Sequence, residues 1–224
     1  MTQLIKLDSI NSTNTYLNYL LTNPGGLPEH LRVENVDLPV AVSASEQYAG
    51  RGRYGKSFHS PAGTGVYMSY GFLGQYDEAD LLQLTVVAAS LVHHVLEQHS
   101  DAPLSIKWIN DIYKGERKVA GILTERVDDP LCSGKYYMII GVGINVFPCS
   151  IPSELEGIVG FLEDEPVSAA ENRDELDTIT CELIAAFDKV FGAGGTGEFP
   201  NLVDYYRKNC FNLPADFGNK LFDK

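Results

Sequence analysis

The residues best equipped for chemistry lie between Glu46 and Ser60, in the run Glu-Gln-Tyr-Ala-Gly-Arg-Gly-Arg-Tyr-Gly-Lys-Ser-Phe-His-Ser. Arg51, Arg53 and Lys56 stand there among Gly50, Gly52 and Gly55. No acidic residue occurs between Glu46 and Asp77, although the 224-residue chain carries a formal net charge of −13. A cationic island on an acidic molecule is a place for an anion. Guanidinium groups are planar forks of permanently charged donors, matched to carboxylate and phosphate. Glycine lets the backbone approach a ligand closely. The run reads as a mobile loop that closes over an anion; a solvated flexible turn is the plainer alternative.

Gly50-x-Gly52-x-x-Gly55 also has the spacing of a dinucleotide fingerprint. That fingerprint requires a helix opening directly after it, within a strand–helix–strand unit. Here Pro61, Gly63 and Gly65 follow, and they do not propagate a helix. Val66-Tyr-Met-Ser-Tyr70 then reads as a strand. Binding therefore falls to arginine side chains on a loop, without a helix dipole behind them.

Other polar groups sit where elements begin or end. Ser12, Thr13 and Asn14 precede an apolar helical run, where residues of these types cap a helix. Lys107, Asn110, Asp111 and Lys118 fall within one hairpin turning around Gly115; a solvated strand face is the ordinary reading of such charges. Gly141 and Gly143 interrupt a strand over Lys135–Val146, and glycine inside a strand often marks a close neighbour. Asn145 stands near its end. His93 and His94 are adjacent on a helix, point about 100° apart, and so read as helix-surface residues rather than as metal ligands.

The elements that must position these groups follow from periodicity. Short strands are expected at Leu4–Leu7, Pro39–Ala44 and Val66–Phe72, so the Gly/Arg loop joins two neighbouring strands. A buried helix is expected over Asp80–Leu96. Leu104–Tyr113 and Lys118–Glu125 read as the two strands of the hairpin. Val146–Pro166 is acidic and loop-rich. Ser168–Phe191 reads as an amphipathic helix with Leu176, Ile179, Leu183, Ile184 and Phe187 on its apolar stripe. Gly192–Gly197 reads as a flexible break and Asn201–Cys210 as a last short helix.

Hydrophobic content of 44% and charged content of 21% suit an ordinary globular chain of one domain plus a small appendage. A pI near 4.7 argues against bulk binding to nucleic acid or to an anionic membrane. Cys132, Cys149, Cys181 and Cys210 are widely spaced and fit reduced thiols of a cytoplasmic protein. The N-terminus lacks the pattern of a signal peptide, and no apolar run is long enough to span a bilayer.

Ser12-Thr-Asn14, Glu46-Gln-Tyr-Ala-Gly-Arg-Gly-Arg-Tyr-Gly55, Lys107-Trp-Ile-Asn-Asp111, Lys118-Val-Ala-Gly-Ile-Leu123 and Gly141-Val-Gly-Ile-Asn145 together resemble the biotin protein ligase family in order and spacing. The resemblance covers about residues 5 to 150. It implies an α/β (α+β) fold: a mixed, mainly antiparallel sheet with helices on one face, akin to class II aminoacyl-tRNA synthetases. It also implies a ligase that activates biotin with ATP as biotinyl-5′-AMP and then transfers biotin to a lysine of a biotin carboxyl carrier domain. The expected domains are a catalytic unit over 1–191 and a C-terminal extension over 192–224. Mg²⁺ is expected with ATP, with no dedicated protein metal cage. No nucleic-acid or membrane partner is implied, and the chain reads as a monomer or a homodimer.

By resemblance, Ser12, Thr13, Asn14, Gln47, Arg51, Gly52, Arg53 and Lys118 serve biotin. Gly121, Gly141 and Gly143 supply bare backbone beside its apolar parts, with Trp108 as a wall. Arg53, Lys56, Phe58, Asn110, Lys118 and Asn145 serve ATP. Lys118, Arg53, Asp111 and Lys107 are the catalytic candidates, with Lys107 holding Asp111 ionised or meeting a phosphate. Three positions depart from the family pattern: Ile109 for proline, Lys56 for arginine and Phe58 for tryptophan. Too little chain precedes Ser12 for a winged helix-turn-helix, and the family's small C-terminal SH3-like barrel is expected to be missing or cut short. The rivals are a lipoate or octanoate ligase or transferase of the same fold, whose Arg-Arg-x-Ser/Thr-Gly-Gly-Gly motif is missing, and a non-catalytic biotin-binding module.

Overall fold

A computed structural model describes residues 2–74, 81–165, 169–192 and 199–218. The helix starts expected at Asp80 and Ser168, the 193–197 part of the flexible break and the tail 219–224 lie outside the described residues. Among the described residues seven strands form one sheet: β1 (Gln3–Ile10), β2 (Val40–Gln47), β3 (Gly65–Leu73), β4 (Leu104–Lys107), β5 (Asp111–Lys114), β6 (Arg117–Asp128) and β7 (Tyr136–Asn145). Their order across the sheet is β1-β2-β3-β7-β6-β5-β4. Only β1 and β2 run parallel; every other pair is antiparallel. This is the mixed, mainly antiparallel sheet expected from the resemblance.

Among the described residues four α-helices cover it: α1 (Thr13–Thr22), α2 (Leu81–Leu96), α3 (Ala169–Phe187) and α4 (Phe199–Asn209). The strands are read by parity, since alternate side chains point to opposite faces. Val66, Met68, Tyr70 and Phe72 of β3 join the larger core beneath α2, α3 and α4. Val40, Val42 and Ala44 of β2 turn the other way and pack on Tyr16, Leu17 and Leu20 of α1. Helices on one face therefore describes α2 to α4, and α1 lies on the opposite face. Gly71 admits it, because a Cβ there would meet Leu17 Cδ2 at 3.0 Å. With both faces covered, β3 is buried from Gly65 to Phe72.

Two expectations change. The run Leu104–Tyr113 is two antiparallel strands, not one, because the chain reverses at Trp108–Asn110 and sets Lys107 opposite Asp111. The Trp108–Ile109 peptide in that reversal is cis. His93 is not on the surface: it is fully buried, with Nδ1 2.9 Å from the Tyr205 hydroxyl. α4 lies over that side of α2, which α2's own periodicity cannot reveal, while His94 is exposed as expected. Burial lowers the His93 pKa. The C-terminal residues Val203, Tyr206 and Phe217 belong to the larger core.

Candidate active site

The cleft lies on the α1 face, at the middle of the sheet. Its floor is set by register. Gly121 of β6 pairs with Gly143 of β7, Leu123 pairs with Gly141, and Gly143 and Gly141 pair in turn with Tyr67 and Ser69 of β3. A strand floor normally bristles with side chains; here three positions carry none. Each vacancy is filled by a functional group from elsewhere. A Cβ on Gly141 would stand 2.2 Å from Asn14 Oδ1, one on Gly143 2.6 Å from the Phe58 ring, and one on Gly121 3.0 Å from Lys118 Nζ. The expectation of bare backbone left open for a ligand is thus refined: the glycines seat Asn14, Phe58 and Lys118.

Ser12, Thr13 and Asn14 enter from the first turn of α1, each about 97% buried. Ser12 is the N-cap, its side chain accepting from the Thr15 amide, and it also lines the cleft, so the capping and binding readings hold together. Gln47 Oε1 accepts from the Thr13 amide at 2.8 Å, satisfying one of the donors that a helix start leaves over. Its Nε2 donates to Ser60 Oγ at 3.0 Å. Ser69 Oγ donates to Asn14 Oδ1 at 2.5 Å, and Asn14 Nδ2 donates to Glu125 at 2.8 Å. That fixes which way the Asn14 amide points. Burial raises the pKa of nearby Tyr67, keeping its hydroxyl protonated.

The Gly/Arg loop folds back on itself: the Phe58 amide donates to Gly50 O at 2.9 Å and the Gly52 amide to Lys56 O at 2.7 Å. Gly50 has no room for a side chain, since a Cβ would lie 2.3 Å from Phe58 O. Arg51 forms a bidentate pair with Glu125, at 2.8 and 3.2 Å. Arg53 Nη1 donates to Asn110 Oδ1 at 3.2 Å, and its guanidinium lies 5.0 Å over the Tyr54 ring. Tyr54 has φ of 56° and its ring is exposed at the tip. The loop is therefore folded across the cleft.

Lys118 reaches this face through a bulge. Ile112 pairs with Ala120 but Tyr113 pairs with Lys118, so β6 carries one extra residue, Val119. Val119 and Ala120 both point into the core. The extra residue turns Lys118 onto the face of Gly121 and Asp111; bulges characteristically re-aim a side chain in this way. Lys118 Nζ then approaches Asp111 Oδ1 to 2.7 Å, an ion pair not aligned as a hydrogen bond. Asn110 is anchored by its Nδ2 donating to Ile122 O at 2.9 Å.

The structure brings Ser12, Thr13, Asn14, Gln47, Arg51, Gly52, Arg53, Phe58, Asn110, Lys118, Gly121, Gly141 and Gly143 to one cleft. Five expected residues stand apart from its lining, and Asp111 is one of them, meeting the cleft only through its ion pair with Lys118. Lys107 faces Asp111 across the strands, but its ammonium turns to Tyr113, 3.2 Å from the hydroxyl and 4.9 Å over the ring. Lys118 is the cation that meets Asp111 instead. Lys56 is exposed on the loop. Asn145 ends β7 with its Nδ2 3.5 Å from Lys118 O. Trp108 is not a cleft wall: it packs edge-on against Tyr206 and Phe217. Glu125 escaped the sequence reading, because one carboxylate in a strand looks like any solvated charge. Among the described residues, no group of three or more His, Cys, Asp or Glu could hold a metal ion. No helix among them is long and apolar enough to cross a membrane.

Residues 7–145 match the profile of the biotin/lipoate A/B protein ligase family. The bifunctional ligase/repressor BirA of Bacillus spizizenii is 33% identical over 190 residues, 83% of this chain and 53% of its own length. The biotin–[acetyl-CoA-carboxylase] ligase of Paracoccus denitrificans is 36% identical over 110 residues, 47% of this chain and 43% of its own. The chain spans about half the length of these curated relatives. Among solved structures, the biotin protein ligase of Aquifex aeolicus in complex with biotin and ATP superposes with a TM-score of 0.70 at 27% identity, covering 95% of this chain and 80% of that one.

Proposed function

We propose, from the premise that this chain belongs to the biotin/lipoate A/B protein ligase family, that it adenylates biotin and transfers it to a lysine of a biotin carboxyl carrier domain. The observation that supports this is one cleft lined both by the hydroxyl and amide groups of Ser12, Thr13, Asn14 and Gln47 and by the cations Arg51, Arg53 and Lys118. In the first step a biotin carboxylate oxygen attacks the α-phosphorus of ATP and pyrophosphate leaves. In the second the lysine amine attacks the acyl carbon, AMP leaves and an amide remains.

Both substrates are anions, so their approach needs fixed positive charge where charge develops. Lys118, aimed by its bulge, neutralises the carboxylate and the α-phosphate. Arg53, held by Asn110, faces phosphates, with exposed Lys56 beside their exit. Phe58 and Asn145 mark the nucleotide end. Ser12, Thr13, Asn14 and Gln47 meet the ureido ring, whose donors and acceptors need partners of both kinds. Mg²⁺ accompanying the triphosphate would offset the charge of the departing pyrophosphate, its oxygen ligands coming from phosphates and water. Asp111 receives the proton of the incoming ammonium, as a carboxylate in reach can.

Purified protein with labelled ATP tests this directly. Pyrophosphate release should depend on biotin and be absent with lipoate, and a carrier domain should gain one biotinyl group at one lysine. Biotin-independent pyrophosphate release, or a preference for lipoate, would overturn the assignment.

A further inference from the structure

Glu125 is tied to two other elements at once. Its Oε1 accepts from Arg51 Nη2 at 2.8 Å, and its Oε2 accepts from Arg51 Nη1 at 3.2 Å and from Asn14 Nδ2 at 2.8 Å. One carboxylate on β6 thereby joins the Gly/Arg loop to the first turn of α1. Asn14 is in turn tied to Ser69 of β3, so the chain of bonds runs from the loop into the buried sheet. Among the described residues, a further polar side-chain tether from the loop to the hairpin is the Arg53–Asn110 bond at 3.2 Å, between a charge and a neutral amide.

We propose that Glu125 is a positioning residue that latches the Gly/Arg loop across the cleft and orients Asn14, so that the adenylate formed there is kept from water. The consequence for coupling rests on the adenylating function above; the latch itself does not. With the loop open, water replaces the carrier amine at the acyl carbon. The acyl C–O bond to phosphate breaks, biotin and AMP leave, two protons pass to solvent, and ATP is consumed without an amide being made. Closing a site to exclude this reaction is a general use of loops.

Two readouts on Glu125→Gln test it. Glutamine keeps the length but loses charge and one acceptor. In the ligand-free protein, tryptic cleavage at Arg51 and Arg53 should quicken about three- to tenfold, the effect of losing a bidentate, half-exposed pair. In turnover, AMP formed per carrier biotinylated should rise severalfold, with kcat for pyrophosphate release changed less than the coupling ratio. Glu125→Asp, which keeps the charge but shortens the reach, should fall between, and circular dichroism confirms that each variant is folded. Unchanged cleavage and an unchanged ratio in folded Glu125→Gln would overturn the latch. If the wild type shows no biotin-dependent pyrophosphate release, the functional assignment fails while the cleavage comparison still decides the latch.

Discussion

Gly141→Ala adds one methyl group to the floor of the cleft. An ideal Cβ there lies 2.2 Å from Asn14 Oδ1, 2.8 Å from its Cγ and 2.9 Å from its Nδ2. The whole amide group is in the way, and Asn14 is 3% exposed, so it cannot swing into solvent. Moving it breaks the 2.5 Å bond from Ser69 and the 2.8 Å bond to the Glu125 carboxylate. A neutral bond contributes about 1 kcal/mol and one to a charged acceptor about 2 kcal/mol. Overpacking adds about 1 kcal/mol or more. We expect a loss of about 2–4 kcal/mol in urea unfolding. If about 2 kcal/mol of that falls on the ligand pocket, biotin Kd rises about thirtyfold in calorimetry. A folded Gly141→Ala protein with Kd within threefold of wild type and an unmoved urea midpoint would refute the role given to Asn14.

Lys118→Ala should stay folded yet lose biotin-dependent pyrophosphate release by about a hundredfold or more, as for other preorganised charges at a reacting centre; wild-type turnover would remove Lys118 from the mechanism. Tyr206→Phe deletes the donor to Ile109 O at 3.0 Å and leaves that buried carbonyl without its partner, costing about 1–2 kcal/mol in urea unfolding. His99 bridges Glu175 and Glu182, each at 2.7 Å. Burial opposes its charge, but hydrogen bonds to Glu182 and Glu175 and their charges outweigh it, and its pKa is raised. A raised folded value means stabilisation that is complete below the unfolded pKa of about 6.5 and lost as pH climbs through the folded value. The Tm gap between wild type and His99→Gln should therefore be widest at pH 6 and shrink as pH is raised beyond the unfolded value, and a gap that widens with pH would contradict the pairing.

Much of the site could be read before the structure because its parts are local. Gly50 to Gly55 announces a tight, cationic loop in residue types alone, and Ser12 announces a helix start. What could not be read depends on partners distant in the chain. Leu104–Tyr113 alternates well enough to look like one strand, and only its pairing exposes the reversal at Trp108–Asn110. Trp108 looks like a cleft wall until Tyr206 and Phe217, roughly a hundred residues on, are seen to claim it. His93 looks exposed until α4 covers it. Gly141 and Gly143 signal a close neighbour, but not that the neighbours are Asn14 and Phe58. Glu125 carries no local signal at all.

Lys118 owes its direction to a single surplus residue, and that makes spacing as important as composition. A relative that retains every letter of Lys-Val-Ala-Gly but has one residue fewer between the hairpin turn and the lysine, so that its strands pair without the bulge, would drive an ammonium into hydrocarbon and leave the Asp111 carboxylate without its cation. An alignment that tolerates a gap at that point would score the lysine as present in a protein unable to use it. For this fold, counting residues between the hairpin turn and Gly121 tests competence more sharply than matching the motif.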